Sequence, residues 1–244
     1  MLELPIYFIS DNHFSMQKSD AEQIRREKLF TLFDKIESTK GTLIIGGDFF
    51  DFWFDYKYVV PKGFNDILFR LEQLHKSGIK IHYILGNHDY WDFGSFTQKF
   101  GAIVHDGDLE FDIDGQKILV THGDGLLKND VGYRIMKRII RSKLAIFLFR
   151  LFHPDWGCAL ARKVSNTSSH YHHHDDKSVA IRIEMREYAR KKWNEGYDVV
   201  LIGHYHQTEI ETSEEKSLIF MGDWIKHFTV TTKDENGWQQ TKWN

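Results

Sequence analysis

The sequence of 244 residues is poor in cysteine, in proline and in net charge. Its single cysteine, Cys158, cannot form an internal disulfide, which excludes a disulfide-stabilised secreted domain and fits a reducing cytoplasm. The 32 lysines and arginines nearly balance 35 acidic residues, so the net charge of -3 creates no field that would attract nucleic acid. The longest aliphatic and aromatic run, 144–149, is too short to cross a bilayer, and the first residues lack the basic region of a signal peptide. Because there are only three prolines and no low-complexity linker, we expect one cytoplasmic domain over residues 1–244.

Histidine, by contrast, is abundant, and several of the 14 histidines follow short apolar runs. Continuous apolar runs of this length predict strands that are covered on both faces. The runs are 6–9, 43–45, 81–85, 118–120 and 199–202, and they lead to Asp11 and His13, to Asp48, to Asn87 and His88, to His122, and to His204 and His206. Ligands of open α/β sheets bind just beyond the carboxyl ends of the strands, so we expect these side chains to form one shared site.

The segments between these runs predict helices and, later in the chain, hairpins. Apolar residues recur at helical spacing over 21–37 and 64–76, and 176–195 is rich in helix-forming residues. A hairpin is predicted over 109–121 around Asp114-Gly115, and antiparallel strands are predicted after Gly203. The stretch 128–177 interrupts the alternation of strands and helices, which predicts a helical insertion.

The candidate ligands offer carboxylate, imidazole and amide groups and no thiolate. Donors of this kind suit manganese, iron or zinc in an open geometry, whereas structural zinc sites usually contain cysteine. The set is Asp11, His13, Asp48, Asn87, His122, His204 and His206. Seven ligands exceed the needs of one tetrahedral ion, so the simplest arrangement is two ions that share a carboxylate, about 3.5–4 Å apart. For five other histidines, namely His75, His82, His105, His153 and His227, we accept the simpler interpretation of ordinary polar side chains.

Five short motifs carry a resemblance to a known family. Asp11-Asn12-His13, Gly47-Asp48 with Asp51, Gly86-Asn87-His88-Asp89, His122-Gly123-Asp124 and Gly203-His204-Tyr205-His206 occur in the order found in the calcineurin-like metallophosphoesterases. The resemblance implies an α/β fold, a four-layer αββα sandwich with a helical insertion. It also implies a dinuclear centre, with one ion held by Asp11, His13, Asp48 and His206. The other ion would be held by Asp48, Asn87, His122 and His204, with Asp48 bridging.

The expected chemistry is hydrolysis of a phosphate ester or anhydride. Two divalent cations, with Mn²⁺ the expected metal and iron or zinc as alternatives, lower the pKa of a bridging water and neutralise charge on the phosphoryl group. His88 follows a candidate ligand directly and is the candidate catalytic residue, since an imidazolium can stabilise the transition state or protonate the leaving group. We expect Asp89 and Asp124 to orient the ligand imidazoles, although an aspartate after a strand can equally cap a helix.

The predicted insertion contains a basic segment with two possible roles. Between Arg134 and Arg150 there are six basic residues and no acidic one. At helical spacing Arg134, Lys137, Arg138 and Arg141 share one face, with Ile135, Ile139 and Phe147 on another. Either the apolar side packs on the core beneath a solvated basic face, or the segment contacts anionic lipid head groups and acyl chains.

A narrower resemblance favours the lipid role. Asn129-Asp130 and Tyr133, Asp51-Phe52-Trp53, Met221-Gly222-Asp223-Trp224 and Lys177-Ser178-Val179-Ala180-Ile181 resemble segments of the UDP-2,3-diacylglucosamine diphosphatases of the lipid A pathway. The resemblance implies that Asp130 and Tyr133 face the glucosamine or uridine, that Lys177 contacts a phosphate and that the insertion covers the acyl chains. The products would be UMP and 2,3-diacylglucosamine 1-phosphate, and the insertion would make peripheral contact with the inner membrane.

The chain departs from that narrower family in two places. His88 stands where those enzymes typically carry arginine, and histidine is the general form of the superfamily. The histidine-rich stretch 170–174 is internal, and we interpret it as a polar loop near the insertion. Two alternatives therefore stay open. One is a phosphodiesterase or phosphatase of the same fold that acts on another nucleotide or lipid phosphate. The other is a non-catalytic, metal-dependent scaffold. Nucleic acid is not an expected partner, because the basic segment is interleaved with apolar residues.

Overall fold

The computed structural model describes residues 2–17, 19–56, 58–159 and 175–244. Its strands are β1 Ile6–Ile9, β2 Thr42–Ile45, β3 Ile81–Ile84, β4 Ile103–His105, β5 Leu109–Ile113, β6 Gln116–Thr121, β7 Val199–Ile202, β8 Thr208–Ser213, β9 Lys216–Met221, β10 Thr229–Asp234 and β11 Gly237–Lys242. Its helices are α1 Asp20–Thr39, α2 Asn65–Lys76, α3 Ser95–Phe100, α4 Val131–Ile140, α5 Lys143–Arg150 and α6 Asp175–Asn194, and 154–159 is also helical.

The strands form two mixed sheets. The first has the order β11-β10-β1-β2-β3-β4 and the second has the order β5-β6-β7-β9-β8. Strands β1 to β4 are parallel, as are β6, β7 and β9, whereas β10, β11, β5 and β8 pair antiparallel with their neighbours. Parallel neighbours end at the same edge of a sheet, so the loops after β1, β2 and β3 and those after β6 and β7 each lie together.

Successive side chains of a buried strand point to opposite faces of the sheet and so pack in different layers. In β1, Ile6 and Phe8 belong to a core that also contains Val120 and Ile219 of the second sheet, so this core fills the space between the sheets. Ile9 instead packs in the core shared with α1 and α2. On the far side, α6 places Met185 and Ala189 against β7 and β9. The order helix, sheet, sheet, helix confirms the predicted αββα sandwich.

Local sequence explains where the longest helix of the first layer begins and ends. The Ser19 hydroxyl accepts a hydrogen bond from the Glu22 amide, which is the capping pattern expected of a serine three residues before a glutamate. Glu22 is buried against Arg26, and Lys40 ends the helix in the left-handed conformation. The predicted helix 21–37 is therefore extended at both ends.

The described helices of the insertion, α4 and α5, are more exposed than the helices that cover the sheets. Helices α4 and α5 have no buried residue. Residues 160–174, including the histidine-rich stretch 170–174, lie outside the described residues. Within the part of the chain that the structure describes, no helix combines the length and the apolar character needed to span a membrane.

Candidate metal centre

Five loops bring the candidate ligands together at the carboxyl edges of the two sheets. Asp11 and His13 follow β1, Asp48 follows β2, Asn87 follows β3, His122 follows β6, and His204 and His206 follow β7. Among the described residues, three groups of three have ligand atoms within 4.8 Å of one another, and two of them consist wholly of candidate ligands: Asp11, His13 and His206 in the first group, and Asp48, His122 and His204 in the second. The third group, His13, Asp51 and His88, shares His13 with the first. The arrangement provides two neighbouring positions for a cation.

The first group surrounds the carboxylate of Asp11. The Nε2 atoms of His13 and His206 lie 4.0 and 3.8 Å from Asp11 Oδ1, and the two imidazoles stack with centroids 5.3 Å apart. Asp11 Oδ2 accepts hydrogen bonds from the Ser10 hydroxyl and the His204 amide. Asp11 Oδ1 is buried and has no hydrogen-bond partner among the described residues. A buried carboxylate oxygen without a donor, facing two imidazole nitrogens, fits a cation.

The second group is defined by the tautomer of His122. Its Nδ1 lies 2.8 Å from the carbonyl oxygen of Gly46, which can only accept, so Nδ1 carries the proton of the neutral ring. The unprotonated Nε2 then faces Asn87 Oδ1 at 3.2 Å and Asp48 Oδ2 at 3.4 Å. Three acceptors that converge without a donor between them need either a proton or a metal ion. Nitrogen and oxygen donors of this kind fit the expected manganese, iron or zinc.

Asp48 lies between the two groups. Its Oδ2 is 3.8 Å from His13 Nε2 as well as 3.4 Å from His122 Nε2. Its Oδ1 accepts a hydrogen bond from the His88 amide at 2.8 Å. This placement is what a bridging carboxylate requires.

The backbone at the ligands is strained. Among the described residues, nine that are not glycine have positive φ, and five of these are candidate ligands: Asp11, His13, Asp48, His204 and His206. Such conformations persist only where the surrounding structure enforces them, and they concentrate at functional sites. Gly86 allows the close approach of the loops, because a Cβ there would lie 2.2 Å from Asp48 Oδ1.

The pKa values of the two acidic ligands, Asp11 and Asp48, are shifted in opposite directions. Burial, with repulsion from Asp48, raises the pKa of Asp11 to about 7. Burial also favours the neutral form of Asp48, but the neighbouring His122 and His88 outweigh it and hold the pKa of Asp48 well below its ordinary value. For His122, burial opposes the charged ring, but Asp48 overcomes it and raises the pKa to about 10. The protein groups alone therefore hold protons where a cation would sit.

His88 is fixed beside the two groups. Its Nδ1 donates to the Asp51 carbonyl oxygen at 2.6 Å, and its ring makes an edge contact with His13 at 4.7 Å between centroids. Burial lowers the pKa of His88, but the carboxylates of Asp48, Asp51 and Asp89, together with the hydrogen bond to the Asp51 carbonyl oxygen, outweigh burial and the net shift is upward. His88 is thus favoured as a cation next to the candidate ligands. Sequence analysis includes Asp51 in the second motif but does not predict its contact with His88.

Asp89 and Asp124 make different contacts. Asp89 is fully buried and accepts hydrogen bonds from the amides of Phe49 and Gly86 and from the Tyr83 hydroxyl. It therefore ties together the loops after β2 and β3 through their backbones. Asp124 lies two residues beyond His122 and pairs with Lys137 of α4, with 2.6 Å between Oδ2 and Nζ.

The insertion is anchored to the loop that carries Asp124 by its polar side chains. The Tyr133 hydroxyl donates to Asp124 at 3.0 Å, and its ring lies 6.0 Å from that of His204. The Arg141 guanidinium lies 3.7 Å from Asp124 Oδ2 and stacks on the Tyr90 ring. The alternative with a wholly solvated basic face is therefore wrong for Lys137 and Arg141, which turn toward Asp124.

The apolar side of the insertion is turned outward. Ile139 is 62% exposed, Leu144 67% and Leu151 68%. Phe149 is an exception, since it packs between Phe54 and Trp91 with ring centroids 4.4 and 4.8 Å away. The alternative in which the apolar side of this segment packs on the core is therefore wrong for α4 and for most of α5.

The remaining candidate substrate residues are only partly placed. Asp130 precedes α4, where its carbonyl oxygen accepts from the Arg134 amide. Lys177 belongs to α6, and its side chain is outside the described part of the structure.

Sequence analysis includes Asp223 in a resembling segment and His227 among the ordinary polar side chains, but it assigns neither residue a role at the centre. Asp223 follows β9 and lies 3.8 Å from His206 Nδ1 and 2.6 Å from His227 Nδ1. The signal was available, because Gly222-Asp223 follows an apolar strand in the same way as Gly47-Asp48.

The chain is similar to several known proteins. The family model for calcineurin-like phosphoesterases matches residues 4–208. A UDP-2,3-diacylglucosamine hydrolase of Porphyromonas gingivalis is 30% identical over 249 residues, covering 94% of each chain. A protein of the same name from Pseudomonas entomophila is 27% identical, covering 96% of this chain and 97% of its own. The structure of YfcE, a phosphoesterase from E. coli, has a TM-score of 0.47 and 14% identity, covering 99% of this chain and all of that one.

Proposed function

The chain belongs to the calcineurin-like phosphoesterase family, and we propose that within it the protein hydrolyses UDP-2,3-diacylglucosamine to UMP and 2,3-diacylglucosamine 1-phosphate. The family makes it a metal-dependent hydrolase. One observation carries the choice of substrate: a cluster of metal-type ligands lies beside helices α4 and α5, most of whose large apolar side chains are exposed. The likeness to relatives that bear the name of this hydrolase supports the same substrate.

We assign the two groups of ligands to two divalent cations. Asp11, His13, Asp48 and His206 would hold one, and Asp48, Asn87, His122 and His204 the other. Two such ions lower the pKa of coordinated water and neutralise charge on a phosphoryl group. Manganese is the proposed metal, since carboxylate, amide and imidazole donors suit it, with iron and zinc as alternatives.

The protein's own groups position the pyrophosphate. We assign His88 the role of stabilising charge on the phosphoryl oxygens or protonating the departing phosphate; its hydrogen bond to the Asp51 carbonyl oxygen and the upward shift of its pKa caused by Asp48, Asp51 and Asp89 against burial support this role. We assign Tyr133 and Asp130 to the sugar or uridine and Lys177 to a phosphate.

The exposed side of the insertion supports a lipid substrate. Helices α4 and α5 present Ile139, Leu144 and Leu148 to the outside, while Arg138 and Lys143 remain exposed among them. Apolar side chains interleaved with cations suit acyl chains and anionic head groups. We therefore propose peripheral contact with the cytoplasmic face of the inner membrane, made by an insertion over 128–177 in an otherwise single domain.

Comparing the rates at which the protein hydrolyses three substrates tests the proposal. Purified protein loaded with Mn²⁺ is offered UDP-2,3-diacylglucosamine, UDP-N-acetylglucosamine and p-nitrophenyl phosphate in separate reactions, and UMP or nitrophenol is measured. We expect UMP from the diacylated substrate at a rate far above that from the sugar nucleotide without acyl chains. Monoester cleavage alone would contradict the lipid substrate, and no hydrolysis of any compound would favour a non-catalytic scaffold.

A further inference from the structure

Asp223 lies behind one of the candidate ligands. The imidazole of His206 has its Nε2 toward Asp11, at 3.8 Å from Oδ1, and its Nδ1 toward Asp223, at 3.8 Å from Oδ2. The same Oδ2 atom accepts a hydrogen bond from His227 Nδ1 at 2.6 Å. One carboxylate oxygen thus faces two imidazoles, one at the metal centre and one at the surface.

The position of this carboxylate is fixed by the backbone. Asp223 is 2% exposed, and its Oδ1 accepts hydrogen bonds from the amides of residues 225, 226 and 227 at 2.6–3.1 Å. The next amide, of Trp224, donates to the carbonyl oxygen of Asp11, and the Arg25 side chain donates to the carbonyl oxygen of Trp224. The loop that carries Asp223 is therefore tied to the loop that carries Asp11 and His13.

The two halves of the centre differ in what stands behind one histidine of each half, His122 and His206. Behind His122 is the neutral carbonyl oxygen of Gly46, whereas behind His206 is the carboxylate of Asp223. A carboxylate behind an imidazole fixes its orientation and makes its other nitrogen a stronger metal donor than a neutral carbonyl does. The side with His206 should therefore hold its ion more tightly.

We propose that Asp223 is a positioning residue that holds His206 with Nε2 toward the metal and makes its half of the centre the tighter one, with His227 as its outer partner. The proposal rests on the proposed two-metal function. To that function it adds a positioning residue, Asp223, and a ranking of the two metal sites by affinity.

The variant Asp223→Asn tests the proposal, because asparagine keeps the shape of the side chain and an oxygen for the three backbone amides but removes the charge facing the imidazoles. The matched control is Asp198→Asn. Like Asp223, Asp198 accepts a hydrogen bond from a backbone amide, that of Lys117, and it also accepts one from the Lys216 side chain. Asp198 precedes β7 and so lies at the opposite end of that strand from His204 and His206.

Mn²⁺ binding is titrated for wild type and both variants, and thermal unfolding is followed in parallel. We expect two ions in wild type and in Asp198→Asn. In Asp223→Asn, we expect the tighter ion to bind about 10- to 100-fold more weakly while the other is unchanged. Two ions bound by Asp223→Asn with wild-type affinities, or equal weakening of both, would overturn the role of Asp223. No ion bound by wild type would instead overturn the proposed metal centre.

A measurement on the unmodified protein covers the case in which the variant does not fold. In Zn²⁺-loaded protein with ¹⁵N-labelled histidine, long-range ¹H–¹⁵N spectra identify the protonated nitrogen of each ring. We expect His206 and His227 to carry their protons on Nδ1. A proton on Nε2 of His206 would contradict the proposal.

Discussion

Lys137 Nζ lies 2.6 Å from Asp124 Oδ2, so a cation of the insertion pairs with a carboxylate two residues beyond His122. This contact links the surface proposed for the lipid to the loop of a candidate ligand. The Asp124 carboxylate is 7% exposed, so the pair is shielded from solvent on one side.

Replacing Lys137 with methionine should loosen the insertion while leaving the ligands in place. Loss of one partly buried charged hydrogen bond, worth about 1.5 kcal/mol, should raise the KM for UDP-2,3-diacylglucosamine about tenfold. Bound manganese should be unchanged. The control is Lys128→Met, which removes an exposed pair with Glu187 and should leave KM as in wild type. Equal KM values in the two variants would argue against the coupling.

Replacing His88 with alanine should remove a catalytic group and spare the metal. We expect kcat to fall by about 10²- to 10⁴-fold, the range for loss of an acid–base group, with manganese content at the wild-type level. Single-turnover assays and elemental analysis of the same sample check both quantities. A parallel loss of metal would show that His88 supports the centre's structure instead.

Metal binding should strengthen as pH rises through 7. Burial, with repulsion from Asp48, raises the pKa of Asp11 to about 7, so below that pH the incoming ion must displace a proton from Asp11. His122, whose pKa Asp48 raises to about 10 against the effect of burial, must also lose a proton. Calorimetry in two buffers of different ionisation enthalpy should show proton release on Mn²⁺ binding and weaker binding at pH 6 than at pH 8. Affinity independent of pH would contradict the assigned ligands.

Charge on the outer side of the insertion should abolish membrane contact. Ile139→Asp combined with Leu144→Asp removes two side chains that are 62% and 67% exposed, each worth about 1.5–3 kcal/mol if buried in lipid. We expect loss of co-sedimentation with vesicles that contain anionic lipid and unchanged cleavage of bis-p-nitrophenyl phosphate. Phe69→Asp, at a 58% exposed position on α2, is the control. Vesicle binding that survives the double change would refute the proposed contact surface.

Asp89 should matter for stability more than for chemistry. Asp89→Asn replaces an acceptor of the Phe49 or Gly86 amide by a donor, so we expect a loss of about 1–3 kcal/mol in the free energy of unfolding, measured in urea with a chelator present. Asp106→Asn, which alters one exposed hydrogen bond from Tyr90, should cost much less. Similar unfolding curves for both variants would argue against the role of Asp89 in joining the loops.

The strands and the ligands could be predicted because both signals are local. A continuous apolar run such as Val199–Ile202 has few alternatives to a buried strand, and His204 and His206 follow it directly. The short α3 and β4 have no comparable run and were not predicted. The pairing partners of β9 and β10 could not be predicted from local sequence either, since β9 pairs parallel with β7 and β10 crosses to the other sheet to pair with β1.

The orientation of the insertion depends on contacts that no periodicity contains. The spacing of Lys137 and Arg141 correctly predicts one face of a helix, but that face turns inward because Asp124 and the Tyr90 ring lie opposite it. The contact of Asp223 with His206 could not be predicted for a similar reason. The role of Asp223 depends on His206, which lies 17 positions earlier in the chain but close in space.

Anomalous diffraction from crystals soaked in Mn²⁺ tests the central claim most directly. We predict two peaks about 3.5–4 Å apart, one among Asp11, His13 and His206 and one among Asn87, His122 and His204, with Asp48 between them. A single peak, or peaks away from these side chains, would contradict the two-metal centre.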